Sequence, residues 1–283
     1  MTEAGPEPAR FEEEFRLSSE TRLRVERDGA VARVTLARPE VRNAFDDVLI
    51  TELVRALEDL RDGANADPDA APRAVVLTGE GTAFCAGADA NWMRRSVTYT
   101  REENEADARR MAGMLRSLDE LPIPVIARVN GACLGGGMGL IGCCDIVVAA
   151  EAADFGFTET RLGIAPAVIS SFVLPKIGAA AARRYFLSAE IFKAPVARDI
   201  GLVHEVVTLE GLDDAVGRVV KALLGCGPRA VMAAKRLIRE NLALTRDQAI
   251  ENSVRIIAGL RTSPEGQEGL GAFLGKRAPA WKS

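Results

Sequence analysis

One histidine, His204, stands in a chain of 283 residues. Zinc sites draw on several Cys and His ligands at recognisable spacings, and none occurs here. The usual nucleophilic triad also needs a histidine beside its serine or cysteine. His204 follows Gly201-Leu202-Val203, far along the chain from Ser170 and Cys85, so a structural role is expected for it. Aromatic residues make up only 5% of the chain, while glycine reaches 26 residues. Such a core packs through small side chains and close backbone approach. Cysteine is sparse and odd in number: Cys85, Cys133, Cys143, Cys144 and Cys226. An odd count with an adjacent pair is a poor disulfide framework and suggests free thiols in a reducing, cytoplasmic setting. No apolar run approaches the ~20 residues needed to cross a bilayer. Residues 1–20 are acidic, contain Pro6 and Pro8, and lack the basic-then-apolar order of a signal peptide, so a flexible tail is expected. The net charge of -4, without a basic block, argues against nucleic-acid and membrane-surface partners.

What is present is a succession of strands and helices. Leu23 to Arg27 and Val31 to Leu36 alternate apolar and polar residues around Asp28-Gly29, which predicts a hairpin. Asp46 is placed to cap a helix carrying Leu49, Leu53, Leu57 and Leu60 on one face. Ala74 to Leu77, Val125 to Val129, Ile146 to Ala149 and Val203 to Val207 are short apolar runs, predicted as strands, mostly buried. Helices are predicted over Glu102 to Leu118, Ala179 to Leu187 and Ala194 to Ile200, and almost continuously from Leu212 onward. Interleaved strands and helices indicate an α/β fold, and the strandless end indicates a separate helical layer.

Two glycine-rich turns follow two of the strands. Gly137-x-Gly139-x-x-Gly142, with Glu159 about 20 positions on, fits the dinucleotide fingerprint. A nucleotide-binding unit needs a crossover helix of at least ~10 residues before its next strand, and Asp145-Ile146-Val147 begins too soon. A P-loop is excluded because no Gly-Lys-Ser/Thr follows. The other use of such turns is to aim backbone N–H groups at an anion. If Ala86-Gly87-Ala88 and Gly135-Gly136-Gly137 converge, one N–H from each can hold a single oxygen. The plain alternative is that these glycines only permit close packing.

Ala83-Phe84-Cys85-Ala86-Gly87-Ala88-Asp89, Val129-Asn130-Gly131-Ala132-Cys133-Leu134-Gly135-Gly136-Gly137 and Cys144-Asp145-Ile146 together resemble the enoyl-CoA hydratase/isomerase (crotonase) family. The resemblance continues through Phe155-Gly156-Phe157-Thr158-Glu159, Leu162-Gly163 and Gly201-Leu202-Val203 to Ala272-Phe273-Leu274-Gly275-Lys276-Arg277, covering nearly everything from about Leu23. It implies an α/β spiral of ββα units over 21–210 and a helical part over 211–283 used in assembling a homotrimer or dimer of trimers. It further implies an acyl-CoA substrate, with coenzyme A belonging to the substrate and no separate cofactor or metal. The thioester carbonyl would lie between the N–H groups of Ala88 and Gly136, with Ala86, Ala88, Asp89, Ala90 and Asn91 along the acyl-CoA path. Asn43 and Ala44 would meet the adenine end, and Lys276 the phosphate in a neighbouring subunit.

Typical hydratases of the family carry two glutamates. The second matches Glu159; the first matches Gly139, which has no side chain. Glu159 is therefore the sole inherited acid/base, with a plain surface carboxylate or helix cap as its alternative. Arg161 to Ser170, with Cys143-Cys144-Asp145 and Ala181 to Tyr185, is similar to the branch containing methylglutaconyl-CoA and carboxygeranoyl-CoA hydratases of leucine and acyclic terpene breakdown. Those substrates bear a second carboxylate, for which Arg161 or Arg94 is a candidate partner. The expected activity is hydration of a 2-enoyl-CoA, such as 3-methylglutaconyl-CoA. The alternatives are an isomerase or decarboxylase on the same scaffold, a CoA-binding protein without turnover, and a hydrolase using Cys85 or Ser170.

Overall fold

The computed structural model describes residues 21–282, so the expected tail lies outside the described residues. Strands β1 (Leu23–Asp28) and β2 (Val31–Leu36) form the antiparallel hairpin, turning at Gly29 with φ 53°. Helix α1 (Asp47–Ala66) starts where Asp46 accepts the Leu49 N–H at 2.9 Å, and its four leucines face inward.

Three ββα units follow. The first comprises β3 (Ala74–Gly79), β4 (Ala83–Cys85) and two helices, α2 (Ala90–Ser96) and α3 (Arg101–Asp119). The second comprises β5 (Val125–Val129), β6 (Ala132–Leu134) and α4 (Gly136–Cys143). The third comprises β7 (Ile146–Ala150), β8 (Asp154–Gly156) and α5 (Ala167–Ser188). The first strand of each unit joins one parallel layer, β3-β5-β7; the second joins another, β4-β6-β8. This stacking is the expected α/β spiral. Two residues of β9 (Phe192–Lys193), then α6 (Ala194–Asp199) and β10 (Glu205–Val207), complete the sheets, with β10 parallel to β7.

Four helices close the chain: α7 (Leu212–Leu224), α8 (Pro228–Leu242), α9 (Arg246–Thr262) and α10 (Pro264–Leu274). Helix α7 lies directly on the sheet, where Leu212, Ala215 and Val216 bury against Val76, Ile126 and Val148. The step from strands to helices near residue 211 therefore does not separate core from periphery. Arg128 on β5 donates both arms of its guanidinium to Asp213 at 2.8 Å, fixing the same contact.

The helical stretch predicted from Ala179 begins earlier, at Ala167. Pro175 lies inside α5, and Gly178 takes φ 67°, ψ 170°, so two helical pieces meet at a kink. Those two residues are helix breakers and hid the first piece. Among the described residues, no helix is long and apolar enough to cross a membrane.

Candidate active site

The spiral brings both glycine turns to one place. The first leaves β4 through Ala86 and Gly87, the latter at φ 94°. Phe45 pairs with it as a parallel bridge: its N–H donates to the Gly87 carbonyl and its carbonyl accepts from Asp89, each at 2.7 Å. Both bonds flank Ala88, whose own N–H points away and finds no acceptor among the described residues. Asp89 then caps α2, accepting the N–H groups of Asn91 and Trp92. Arg38 donates to Asp89 at 2.9 Å, to the Ala44 carbonyl at 2.6 Å, and pairs with Asp46 at 3.2 Å. Burial alone would raise the Asp89 pKa, but the Asn91 N–H and the Arg38 guanidinium hold it below the usual range.

The second turn links β6 to α4. Gly135 takes φ 48° and its N–H donates to Gly156 at 2.9 Å. Gly136 opens the helix, so its N–H has no intrahelical acceptor and carries part of the positive end of the helix. A β-carbon on Gly87 would stand 3.7 Å from the Gly136 nitrogen and 3.2 Å from the Leu134 carbonyl. The turns are in contact, and glycine at 87 permits both the approach and the positive φ. A β-carbon on Gly136 would fall 3.0 Å from the Phe45 ring and from Met111.

These turns border a cavity of about 330 Å³, whose wall includes Ala86, Ala88, Trp92, Met111, Gly136 and Glu159. Glu159 heads a short 3-10 turn just beyond β8. Its Oε2 is buried and has no hydrogen-bond partner among the described residues. Burial raises its pKa above the usual carboxylate range. Phe155 and Phe157 are not on this wall: they lie in the core with Phe192 and Phe186.

Other expected site residues have different surroundings. Asn43 is wholly buried and fully used, donating to the Glu80 and Ala83 carbonyls and accepting the Arg38 N–H. The Ala44 carbonyl takes Arg38. Asn91 accepts from Arg94 at 2.6 Å, and Arg161 donates to the Ala189 carbonyl, so both candidate arginines are engaged away from the cavity wall. Asp89, Ala90, Asn91 and Gly139 do not line the cavity, and neither does Lys276, exposed beyond α10. A β-carbon on Gly139 would lie 2.6 Å from Ile169 Cγ2 and 3.1 Å from Leu115. The room that a second glutamate needs is filled by these two side chains.

The alternative nucleophiles are poorly placed. Cys85 is fully buried, and desolvation pushes its thiol up to about 12, opposite to what a reactive thiolate needs. His204 Nδ1 accepts the Val147 N–H at 3.0 Å, a structural bond between β7 and the segment entering β10. Among the described residues, no group of three or more His, Cys, Asp or Glu is arranged to hold a metal. Phe45, Trp92 and Met111 also line this cavity and escape a reading of the sequence. They meet only in the fold, and nothing in their spacing marks them.

The ββα spiral thus brings two backbone N–H groups without acceptors and a buried carboxylate to the wall of one cavity. The family model described as enoyl-CoA hydratase/isomerase matches residues 26–283, and the chain belongs to that family. It is 31% identical over 262 residues to the 2,3-dehydroadipyl-CoA hydratase of Escherichia coli, covering 92% of this chain and 98% of that protein. The crystal structure of an enoyl-CoA hydratase from Shewanella pealeana is 38% identical, with a TM-score of 0.86, over 92% of this chain and 96% of that one. AtuE of Pseudomonas aeruginosa is 34% identical, with a TM-score of 0.88, over 93% and 100%.

Proposed function

We propose that this chain hydrates 2-enoyl-CoA thioesters, using the Ala88 and Gly136 N–H groups to hold the thioester oxygen and Glu159 to handle the proton. The observation that carries this reading is their meeting in one cavity: two N–H groups without acceptors and a buried carboxylate oxygen without a donor. Each such N–H is worth about 3–4 kcal/mol when charge develops on the oxygen. Glu159 takes a proton from water as the water oxygen bonds to the β-carbon. The double-bond electrons move toward the thioester oxygen. The protonated Glu159 then delivers that proton to the α-carbon, and the carbonyl re-forms. A carboxyl whose pKa is raised by burial suits both steps.

The finer substrate assignment, 3-methylglutaconyl-CoA, rests on the similarity of residues 161–170 to that branch. A distal carboxylate on the acyl chain needs a partner other than Arg161 and Arg94. Arg110, paired at 2.5 Å with the wall residue Asp107, is mostly exposed and does not line the cavity either.

Isomerisation is the second reading, favoured by the closed space at Gly139: moving a double bond needs one carboxylate to remove and return a proton. Turnover of crotonyl-CoA and 3-methylglutaconyl-CoA with product identification separates the possibilities. Hydration adds water, isomerisation leaves the mass unchanged, and decarboxylation releases carbon dioxide. In the Glu159→Gln variant, hydration should fall by roughly 10²–10⁴-fold. Hydration at the wild-type rate in that variant removes Glu159 from the mechanism.

A further inference from the structure

Hydration with one carboxylate raises the question of what else orients the water, since Ile169 and Leu115 close the space beyond Gly139. The geometry around Gly135 supplies an answer. A β-carbon on Gly135 would stand 3.6 Å from Glu159 Oε1, 3.6 Å from Thr158 Oγ1 and 3.7 Å from the Gly87 α-carbon. Leaving aside the adjoining chain, no atom comes closer to that point. Glycine thus leaves open a volume bounded by a carboxylate, a hydroxyl and the turn that presents Ala88. Glu159 Oε1 and Thr158 Oγ1 thus border the same point beside the cavity.

Thr158 is free for such a role. It precedes the 3-10 turn yet makes no side-chain cap bond, and its hydroxyl has no partner among the described residues. It is on the cavity wall beside Glu159. β8 ends at Gly156, and the chain's change of direction at Thr158, with φ -88° and ψ -1°, lets two successive residues face the same cavity.

We propose that Thr158 is a second catalytic residue, its hydroxyl holding the attacking water in the cavity together with the Glu159 carboxylate. The proposal rests on the hydration reading above. The water oxygen bonds to the β-carbon, and one of its protons passes to Glu159. Its other proton remains on the oxygen as the product hydroxyl and stays hydrogen-bonded to Thr158 Oγ1. The π electrons become the enolate, which collapses as Glu159 returns the first proton to the α-carbon. One water is added, and Thr158 leaves the cycle unchanged.

The test compares Thr158→Val and Thr158→Ser in two reactions. Hydration of crotonyl-CoA requires the held water. Exchange of the α-hydrogens of butyryl-CoA with D2O requires Glu159 and the paired N–H groups but adds no water. Thr158→Val should lower the kcat of hydration by roughly 10- to 100-fold, leave KM within about twofold and retain α-exchange. Thr158→Ser, which keeps the hydroxyl, should stay within about threefold of wild type. Glu159→Gln should lose both reactions. Wild-type hydration by Thr158→Val overturns the proposal, as does an equal loss of hydration and exchange, which would mean a damaged turn. A wild-type enzyme that exchanges but never hydrates overturns the hydration reading as well, so the two failures are distinguishable.

Discussion

A glutamate is cheap to expose and expensive to bury, and Glu159 shows the difference. Its carboxyl lies in the cavity wall, with one oxygen lacking a donor, and burial raises its pKa. As a base it must be ionised, so kcat/KM should fall on the acid side with an apparent pKa above 4.5. The pH–rate profile of wild type checks this, and Glu159→Gln should lack that limb. Stability runs the other way with pH. A folded-state pKa raised above the unfolded one contributes stability at low pH that is lost as pH rises through the folded value. Glu159→Gln should therefore be more stable than wild type near neutral pH, about pH 7, with the gap closing in acid; urea titrations at the two pH values measure it. Gly139 is a second case. Its β-carbon would press on Ile169 at 2.6 Å, so Gly139→Glu should destabilise by about 1–3 kcal/mol without raising the hydration rate. Adding Ile169→Ala should recover part of that loss; no recovery would show that the overlap is not the cause. Glu159 was legible because a motif surrounds it. Ile169 was not, because its role is to occupy space opened by a residue on another helix.

Elements built mostly from glycine and short apolar runs need support from outside themselves. Helix α4 has glycine at 136, 137, 139 and 142, which is poor helix material. Its last carbonyls are capped by the half-hidden Lys176 on α5, which donates to Ile141 at 3.1 Å and to Cys144. The Ala88 turn has its own tie in Arg38, whose guanidinium links the caps of α1 and α2, Asp46 and Asp89. Arg22 also reaches Asp46, so Asp89 is the carboxylate that Arg38→Met leaves without an ion-pair partner. With a side chain only 6% exposed, Asp89 should make that substitution expensive, about 3–5 kcal/mol by urea unfolding. A loss within experimental error would mean the clamp is dispensable. Long strands and helices were readable from the sequence, with β5 matching its predicted span. The three-residue strands β4, β6 and β8 were not, because three residues show no periodicity and their pairing is entirely non-local. Yet these strands place Ala88, Gly136 and Glu159 side by side, so the structure of the site resided in the least legible elements.

At the scale of the whole chain, the helices after α7 present a different balance of apolar and polar surface. Ile238, Leu242, Ile250, Val254 and Ile257 are between 46% and 76% exposed, while Phe273 and Leu274 at the end of α10 reach 80% and 78%. Helix α10 packs on α8 and α9, so these side chains belong to one helical layer rather than to scattered loops. An apolar surface of this kind is uncommon on a chain that works alone. The resemblance to crotonases implies assembly through this same region. We therefore expect the 30.2 kDa chain to sediment as a trimer or a dimer of trimers. Ile257→Asp and Phe273→Asp together should shift it toward monomer while leaving the helical circular-dichroism signal intact, because both side chains lie outside the buried core. A wild-type chain that sediments as a monomer at micromolar concentration would break the link between the exposed layer and assembly. A helical signal lost along with assembly would show instead that the layer needs its neighbours to fold, since α8 and α9 together bury few residues of their own.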